Sequence, residues 1–220
     1  MKLLLRTLIK FFLFFSIILL VLFFKAVTVH GASETKEMPL KFQQLAEITK
    51  IGVQIRLKQL PVPYNEILTQ PLMTKSIETY YGRRAIIKAL FAKQDPLKKV
   101  YSRSIMMFID KSKHRNNPDE ALEKNEAIIV ELAFISINFN ELPKKVKEEI
   151  LSTNIPFGKL LSKYQIQIST RDRKYYKIKC NSTLVSLIHC KEKEFIYGRT
   201  NTIIRRDNKK WLAHVVEILP

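Results

Sequence analysis

Apolar and polar residues alternate along the final segment of the chain, WLAHVVEIL. This alternation predicts a strand, in which successive side chains point to opposite faces. One face then carries Trp211, Ala213, Val215, Glu217 and Leu219. Glu217 is the single charged residue on that face. Because burial of a carboxylate is costly without a partner, the pattern predicts a cation or hydrogen-bond donors close to Glu217.

The segment VYSRSIMMFI shows the same alternation. One of its faces carries Tyr101, Arg103, Ile105, Met107 and Ile109. Arg103 is therefore a guanidinium among apolar residues, and its planar fork, which stays charged when buried, suits a ligand carboxylate. If both strands belong to one sheet, Arg103 and Glu217 could point into one cavity. In the simpler alternative, Arg103 reaches solvent at a sheet edge and Glu217 lies in water near the end of the chain.

The chain from residue 60 onward predicts a mixture of strands and helices. Strands are predicted in RRAIIKALFA, VYSRSIMMFID, AIIVELAFISINF, QIQISTRDRKYYKIKC, EFIYGRTNTIIRR and WLAHVVEIL. Helices are predicted from MTK onward, after Pro143 and from Pro156. Since most strands follow one another directly, we expect an α+β fold with helices on one face of an antiparallel sheet of about six strands.

Residues 1–31 have the organisation of a targeting segment. A basic flank, MKLLLRTLIK, is followed by the apolar run FFLFFSIILLVLFF and then by small residues up to Gly31. The segment is a signal peptide cut after Gly31, or an uncleaved membrane anchor whose apolar span is extended by Lys10 and Lys25. Both alternatives predict a domain outside the cytoplasm, and delivery into an organelle is a third.

Residues 32–59 are predicted to form a linker with an amphipathic helix, KFQQLAEITKIGVQIRL, that ends before the breaker residues of LPVPY. Residues 60–220 form the predicted globular domain. With 220 residues and 46% hydrophobic composition, the chain can bury one ordinary core.

A formal net charge of +18 favours anionic partners in general. Nucleic acid, an acidic membrane surface and a small carboxylate all satisfy this condition. Nucleic acid has support from charge alone, so it is not predicted as a partner. A small carboxylate remains the favoured ligand, and contact with a membrane is expected only through the N-terminal segment.

Cys180 and Cys190 are the two cysteines of the chain. They could close a short disulfide loop in an oxidising compartment, or remain free thiols. The sequence has no CxxC pair, Gly-rich phosphate loop, GxSxG or HExxH motif. We therefore expect neither a metal nor a cofactor.

Residues 60–220 resemble the chorismate lyase (chorismate pyruvate-lyase) family. The likeness is carried by a set of short motifs in chain order: PLMTKSIETYYG, YSRSIMMF, NELPKKVKEEILSTNIPFGKLL, TRD, YGRTNTI and a terminal VEILP. Each motif is weak alone, and their order over about 160 residues makes the match more specific. The resemblance implies an antiparallel six-stranded sheet whose helices enclose a ligand cavity, in agreement with the strand pattern.

The resemblance also implies roles for individual residues. Arg103 occupies the position of an arginine that binds a carboxylate of chorismate or of its aromatic product, and Glu217 that of a catalytic glutamate facing the ring hydroxyl. Met73 and Phe157 occupy positions whose main-chain amides contact the bound acid, although family members usually have leucine where this chain has Phe157. Arg199 matches an arginine that recurs in the family and is a further predicted substrate-binding residue.

The implied reaction is the loss of pyruvate from chorismate to leave 4-hydroxybenzoate, by a monomer without metal or cofactor. Chorismate is an intracellular metabolite, whereas residues 1–31 predict export or membrane attachment. A membrane anchor that serves a quinone pathway would resolve this conflict. The alternative function is an exported or membrane-attached, non-catalytic binder of a small aromatic carboxylate on the same fold.

Overall fold

A computed structural model describes residues 45–220 of the chain. The predicted signal peptide or anchor, residues 1–31, and the first part of the predicted linker lie outside the described residues. Within 45–220, no helix has the length and apolar character needed to cross a membrane.

The core element is one antiparallel sheet of seven strands, one more than predicted. The strands are β1 (Gly52–Ile55), β2 (Ala85–Asp95), β3 (Val100–Asp110), β4 (Ala127–Asn138), β5 (Ile168–Lys179), β6 (Phe195–Arg205) and β7 (Trp211–Leu219). Their spatial order is β1-β5-β6-β7-β4-β3-β2. The strands β3, β4, β7 and β6 are therefore successive neighbours, which places Arg103 and Glu217 two strands apart in one sheet.

The additional strand, β1, falls where the sequence predicted the end of an amphipathic helix, and that part of the prediction is wrong. A short helix, α1 (Ile48–Ile51), stops at Gly52, and β1 then pairs with β5 at the edge of the sheet. Pairing there satisfies backbone groups that an isolated helix turn would leave open. A Cβ atom at position 52 would lie 2.9 Å from Cγ1 of Ile178, so glycine permits this close approach.

Within the part of the chain that the structure describes, six further α-helices connect the strands. They are α2 (Tyr64–Ile67), α3 (Met73–Tyr81), α4 (Pro118–Glu123), α5 (Lys144–Ser152), α6 (Phe157–Lys163) and α7 (Ser182–Ile188). Pro143 and Pro156 directly precede α5 and α6, as predicted. α4 and α7 were not predicted from the sequence. Their first turns are capped by the side chains of Asn117 and Asn181.

Helices cover both faces of the sheet rather than one. The apolar clusters on the first face include residues of α3, α5 and α6. On the second face, Leu184 and Ile188 of α7 belong to one cluster with Leu132 and Ile218 of the central strands. The prediction of helices on one face is therefore wrong. Its physical reason is that the central strands are apolar on both sides, so both sides require cover.

Cys180 and Cys190 form a disulfide, with their Cα atoms 6.2 Å apart. The bond closes a loop that contains α7 and returns the chain from the end of β5 to the start of β6. Both cysteines are buried in the apolar cluster of the second face. Of the two alternatives left open by the sequence, the structure has the disulfide.

Removal of this disulfide should lower stability. The double variant Cys180→Ala/Cys190→Ala should lose about 2–3 kcal/mol in free energy of unfolding, because a short loop is no longer constrained in the unfolded chain. Urea unfolding, followed by circular dichroism, measures the loss. The unchanged protein in excess dithiothreitol is the matched comparison, and identical midpoints for all three samples would contradict the prediction.

Candidate functional site

A hollow of about 60 Å³ lies between the first face of the sheet and the start of two helices. Its floor consists of side chains from β2, β3, β4, β6 and β7, which are mostly apolar. Its roof contains Leu72, Met73 and Thr74 at the start of α3, and Pro156, Phe157 and Gly158 at the start of α6. Three charged or titratable side chains interrupt the apolar floor: Arg103, Glu131 and Glu217.

Strand register explains why Arg103 and Glu217 reach the same hollow. Arg103 pairs across the β3–β4 ladder with Ile135, which pairs in turn with Val215 of β7. Glu217 lies two residues beyond Val215 and so points to the same face. The alternation in the sequence therefore assigned both side chains to the correct face, and both line the hollow.

Glu217 has a cation partner, and that partner is Arg199. The two residues are directly opposite each other in the β6–β7 ladder, and Nε of Arg199 donates to a carboxylate oxygen of Glu217. Arg199 is 1% exposed. The cation that the sequence predicted near Glu217 therefore comes from the adjacent strand, and not from β3.

Arg199 also holds the chain segment that leads into α3. Its Nη1 donates to the carbonyl oxygen of Leu68 at 2.6 Å and to that of Gln70. Arg199 is not among the residues that line the hollow. Its guanidinium is engaged with Glu217 and with two carbonyl groups, so its position suits the support of Glu217 and of the roof.

Arg103 is 4% exposed and has no carboxylate within 4 Å among residues 45–220. Its Nε has no hydrogen-bond partner in this part of the chain. Burial lowers the pKa of Arg103, and the neighbouring Tyr101 partly opposes that shift. Arginine remains charged in proteins, so the hollow contains a buried cation that makes no ion pair within residues 45–220.

Met73 and Phe157 stand at the first positions of α3 and α6, and both line the hollow. The first amides of a helix have no acceptor within the helix. The preceding residues, Leu72 and Pro156, provide no side-chain cap. Contact between these amides and a bound acid stays a prediction.

Glu131 of β4 is a site residue that the sequence analysis missed. It is 2% exposed, lines the hollow and pairs with Met107 across the β3–β4 ladder. Burial raises its pKa well above the ordinary value, the charge of Glu217 raises it further, and Arg199 opposes both. The feature of the sequence that could have indicated Glu131 is that it is the single acid in the apolar run AIIVELAFISINF. It lies two residues before Ala133, which pairs with Glu217 in the β4–β7 ladder.

Substitution of one partner in the buried ion pair should destabilise the fold strongly. Arg199→Leu should cost roughly 3–5 kcal/mol in free energy of unfolding, because Glu217 would remain buried without its cation. The double variant Arg199→Leu/Glu217→Leu should recover part of this loss. Urea unfolding measures both effects.

Lys144→Ala serves as a control for this prediction, because Lys144 and Glu148 form an exposed pair 3.8 Å apart that should contribute little. A double variant no more stable than Arg199→Leu would contradict the assignment of a coupled buried pair.

Among residues 45–220, no group of three or more His, Cys, Asp or Glu side chains is arranged to hold a metal ion. No protein-family model matches the chain. A search of curated proteins finds no match either.

Several solved structures share part of the architecture. The effector domain of PhnF from Mycobacterium smegmatis is 8% identical, the match covers 66% of this chain and 86% of that chain, and the TM-score is 0.44. A gene product of Staphylococcus aureus is 15% identical, with 70% and 90% covered and a TM-score of 0.46. A GntR-family transcriptional regulator from Enterococcus faecalis is 11% identical, with 60% and 91% covered and a TM-score of 0.39. Similarities at this level do not indicate a function for this chain.

Proposed function

We propose that this chain binds a small organic carboxylate in the hollow, with Arg103 as its anchor. The observation that carries this proposal is the state of Arg103, which is buried, lines the hollow and has no carboxylate partner within residues 45–220. A buried charge without a partner is costly, so folds rarely contain one unless a ligand or ion completes it.

The chemistry around Arg103 suits the carboxylate of a small organic acid. A guanidinium donates two parallel hydrogen bonds to a planar carboxylate. The start of α3, which has nine residues, adds uncapped amides and the positive end of the helix dipole on the roof of the hollow. A mostly apolar floor suits the hydrocarbon part of an organic acid.

The size of the hollow limits the ligand. Its 60 Å³ is less than half of the roughly 150 Å³ of an engineered apolar cavity that binds benzene. A small aliphatic acid therefore fits more readily than a ring acid. A ring acid would require outward movement of the roof, where Phe157 stands in place of the leucine usual in chorismate lyases.

Replacement of Arg103 should remove binding. Arg103→Gln should weaken the binding of acetate and benzoate by roughly ten- to a hundred-fold, which corresponds to the loss of a charge-assisted hydrogen bond. Isothermal titration calorimetry on the full-length protein measures both affinities. The matched control is Arg171→Gln, because the Arg171 side chain is 56% exposed.

Equal affinities for the unchanged protein and the Arg103→Gln variant would contradict the proposal. Circular dichroism of each variant shows whether the fold is retained.

A second candidate function is the elimination of pyruvate from chorismate to give 4-hydroxybenzoate. It is favoured by the position of Glu217, since two strand spacings separate β3 from β7 by about 10 Å along the floor of the hollow. An acid whose carboxylate binds Arg103 could therefore direct a hydroxyl group towards Glu217. Its ion pair with Arg199 would keep Glu217 oriented for this contact.

The chemistry of this elimination requires little from the protein. Formation of an aromatic ring drives the reaction, so the site has to hold the substrate in its reactive conformation and exclude water. Arg103 would orient a carboxylate, and Glu217 would accept a hydrogen bond from the ring hydroxyl and assist proton movement. Export or membrane attachment, as residues 1–31 predict, favours the binding function over this one, because chorismate is intracellular.

A turnover assay separates the two functions. If the chain is a lyase, the full-length protein incubated with chorismate should release pyruvate, and Arg103→Gln and Glu217→Gln should each be inactive. Glu192→Gln, at an exposed position, is the control and should retain full activity. Binding of 4-hydroxybenzoate without release of pyruvate would exclude the lyase and leave the carboxylate binder.

A further inference from the structure

Glu131 is a second carboxyl group that lines the hollow, and the proposed function assigns no role to it. It lies on β4, between the strand of Arg103 and the strand of Glu217. Ala133, two residues further along β4, pairs directly with Glu217. Glu131 and Glu217 are thus diagonal neighbours on one face, a relation in which Cα atoms are about 7–8 Å apart.

The two carboxyl groups differ in whether a cation is paired with them. Glu217 accepts from Arg199, whereas Glu131 makes no ion pair or side-chain hydrogen bond with another residue in 45–220. Arg199 lowers the pKa of Glu131 by less than burial and Glu217 raise it. Glu131 therefore keeps its proton well above the pH at which an exposed glutamate loses it, and a protonated carboxyl group is a hydrogen-bond donor.

The two carboxyl groups together can satisfy a hydroxyl group completely. A hydroxyl group donates one hydrogen bond and can accept others. The carboxylate of Glu217 is an acceptor, and the carboxylic acid of Glu131 is a donor. The carboxylate of Glu217 alone has no donor to offer the hydroxyl oxygen, and Glu131 adds that donor.

We propose that Glu131 donates a hydrogen bond to a hydroxyl group of the bound acid, and that Glu131 and Glu217 together select hydroxy acids over unsubstituted acids. This inference rests on the proposed function, in which Arg103 holds the carboxylate. It identifies the ligand class as hydroxycarboxylic acids whose hydroxyl group lies at the end opposite the carboxylate. Glu131 is then a specificity-determining residue.

Other titratable groups surround Glu131, and they bear on its pH dependence. The charged ones are Glu217 from β7 and Arg199 from β6, which both act on its pKa, and Arg103 from β3, which lines the same hollow. The tyrosines that pack around this part of the core are Tyr64, Tyr81, Tyr175 and Tyr197. Burial raises the pKa of Tyr64 and Tyr81, so both stay neutral at and above neutral pH.

The sign of the pH dependence follows from these groups. At low pH, Glu131 carries its proton and donates to the ligand hydroxyl. As pH rises through its raised pKa, Glu131 becomes a second carboxylate beside Glu217, and the hydroxyl group loses its donor. The preference for a hydroxy acid should therefore be greatest at low pH and fall as the pH rises through the raised pKa of Glu131.

The test compares butyrate with 4-hydroxybutyrate, two small aliphatic acids that suit the 60 Å³ hollow, by isothermal titration calorimetry on the full-length protein over a series of pH values from 5 upwards. The unchanged protein should prefer 4-hydroxybutyrate by roughly three- to ten-fold at pH 5, as expected for one net hydrogen bond, and by less once the pH exceeds the raised pKa of Glu131. Glu131→Gln keeps a donor that does not titrate, so its preference should be the same at every pH. Glu131→Leu should lose the preference and still bind butyrate.

Each contrary outcome identifies which claim fails. A preference that persists unchanged in Glu131→Leu would overturn the role of Glu131, while the carboxylate site would stand. A preference in Glu131→Gln that falls with pH as in the unchanged protein would also overturn it. If neither acid binds the unchanged protein, or if Arg103→Gln binds both acids normally, the proposed function itself fails.

Discussion

The ion pair between Arg199 and Glu217 is the interaction on which the site depends. Both groups are buried on the first face of the sheet. The free-energy cost of their desolvation is offset only if the pair has close geometry and further hydrogen bonds. Arg199 meets this condition through Glu217 and through the carbonyl groups of Leu68 and Gln70. One guanidinium thus fixes a carboxylate on the floor and the chain segment that enters α3 on the roof.

This pairing determines what remains available for a ligand. Glu217 is paired with Arg199 from the adjacent strand, and Arg103, two strands away, makes no ion pair within residues 45–220. Burial and then the charge of Glu217 raise the pKa of Glu131, and Arg199 opposes this rise only in part. The hollow therefore presents a cation at one end and a carboxylate beside a carboxylic acid at the other. Such an arrangement is complementary to an acid with a polar group at its far end.

The sequence predicted the faces of Arg103 and Glu217 correctly, because alternation along a strand is a local property with a period of two. It could not identify Arg199 as the partner of Glu217, since that contact depends on the register between β6 and β7. β1 was mistaken for helix because pairing with β5, far along the chain, overrides a local pattern. Glu131 stands out in the sequence as one acid in an apolar run. The residues that surround it in the fold could not be predicted, because they come from other strands.

The most direct measurement is nuclear magnetic resonance of the arginine side chains during a titration with acetate, with the Nε–H signal of Arg103 assigned from its loss in Arg103→Gln. The account predicts a saturable downfield shift of this signal, because a free guanidinium acquires a carboxylate partner. The Nε–H signal of Arg199 should move little. Saturable binding of acetate that leaves the Arg103 signal unmoved would contradict the account.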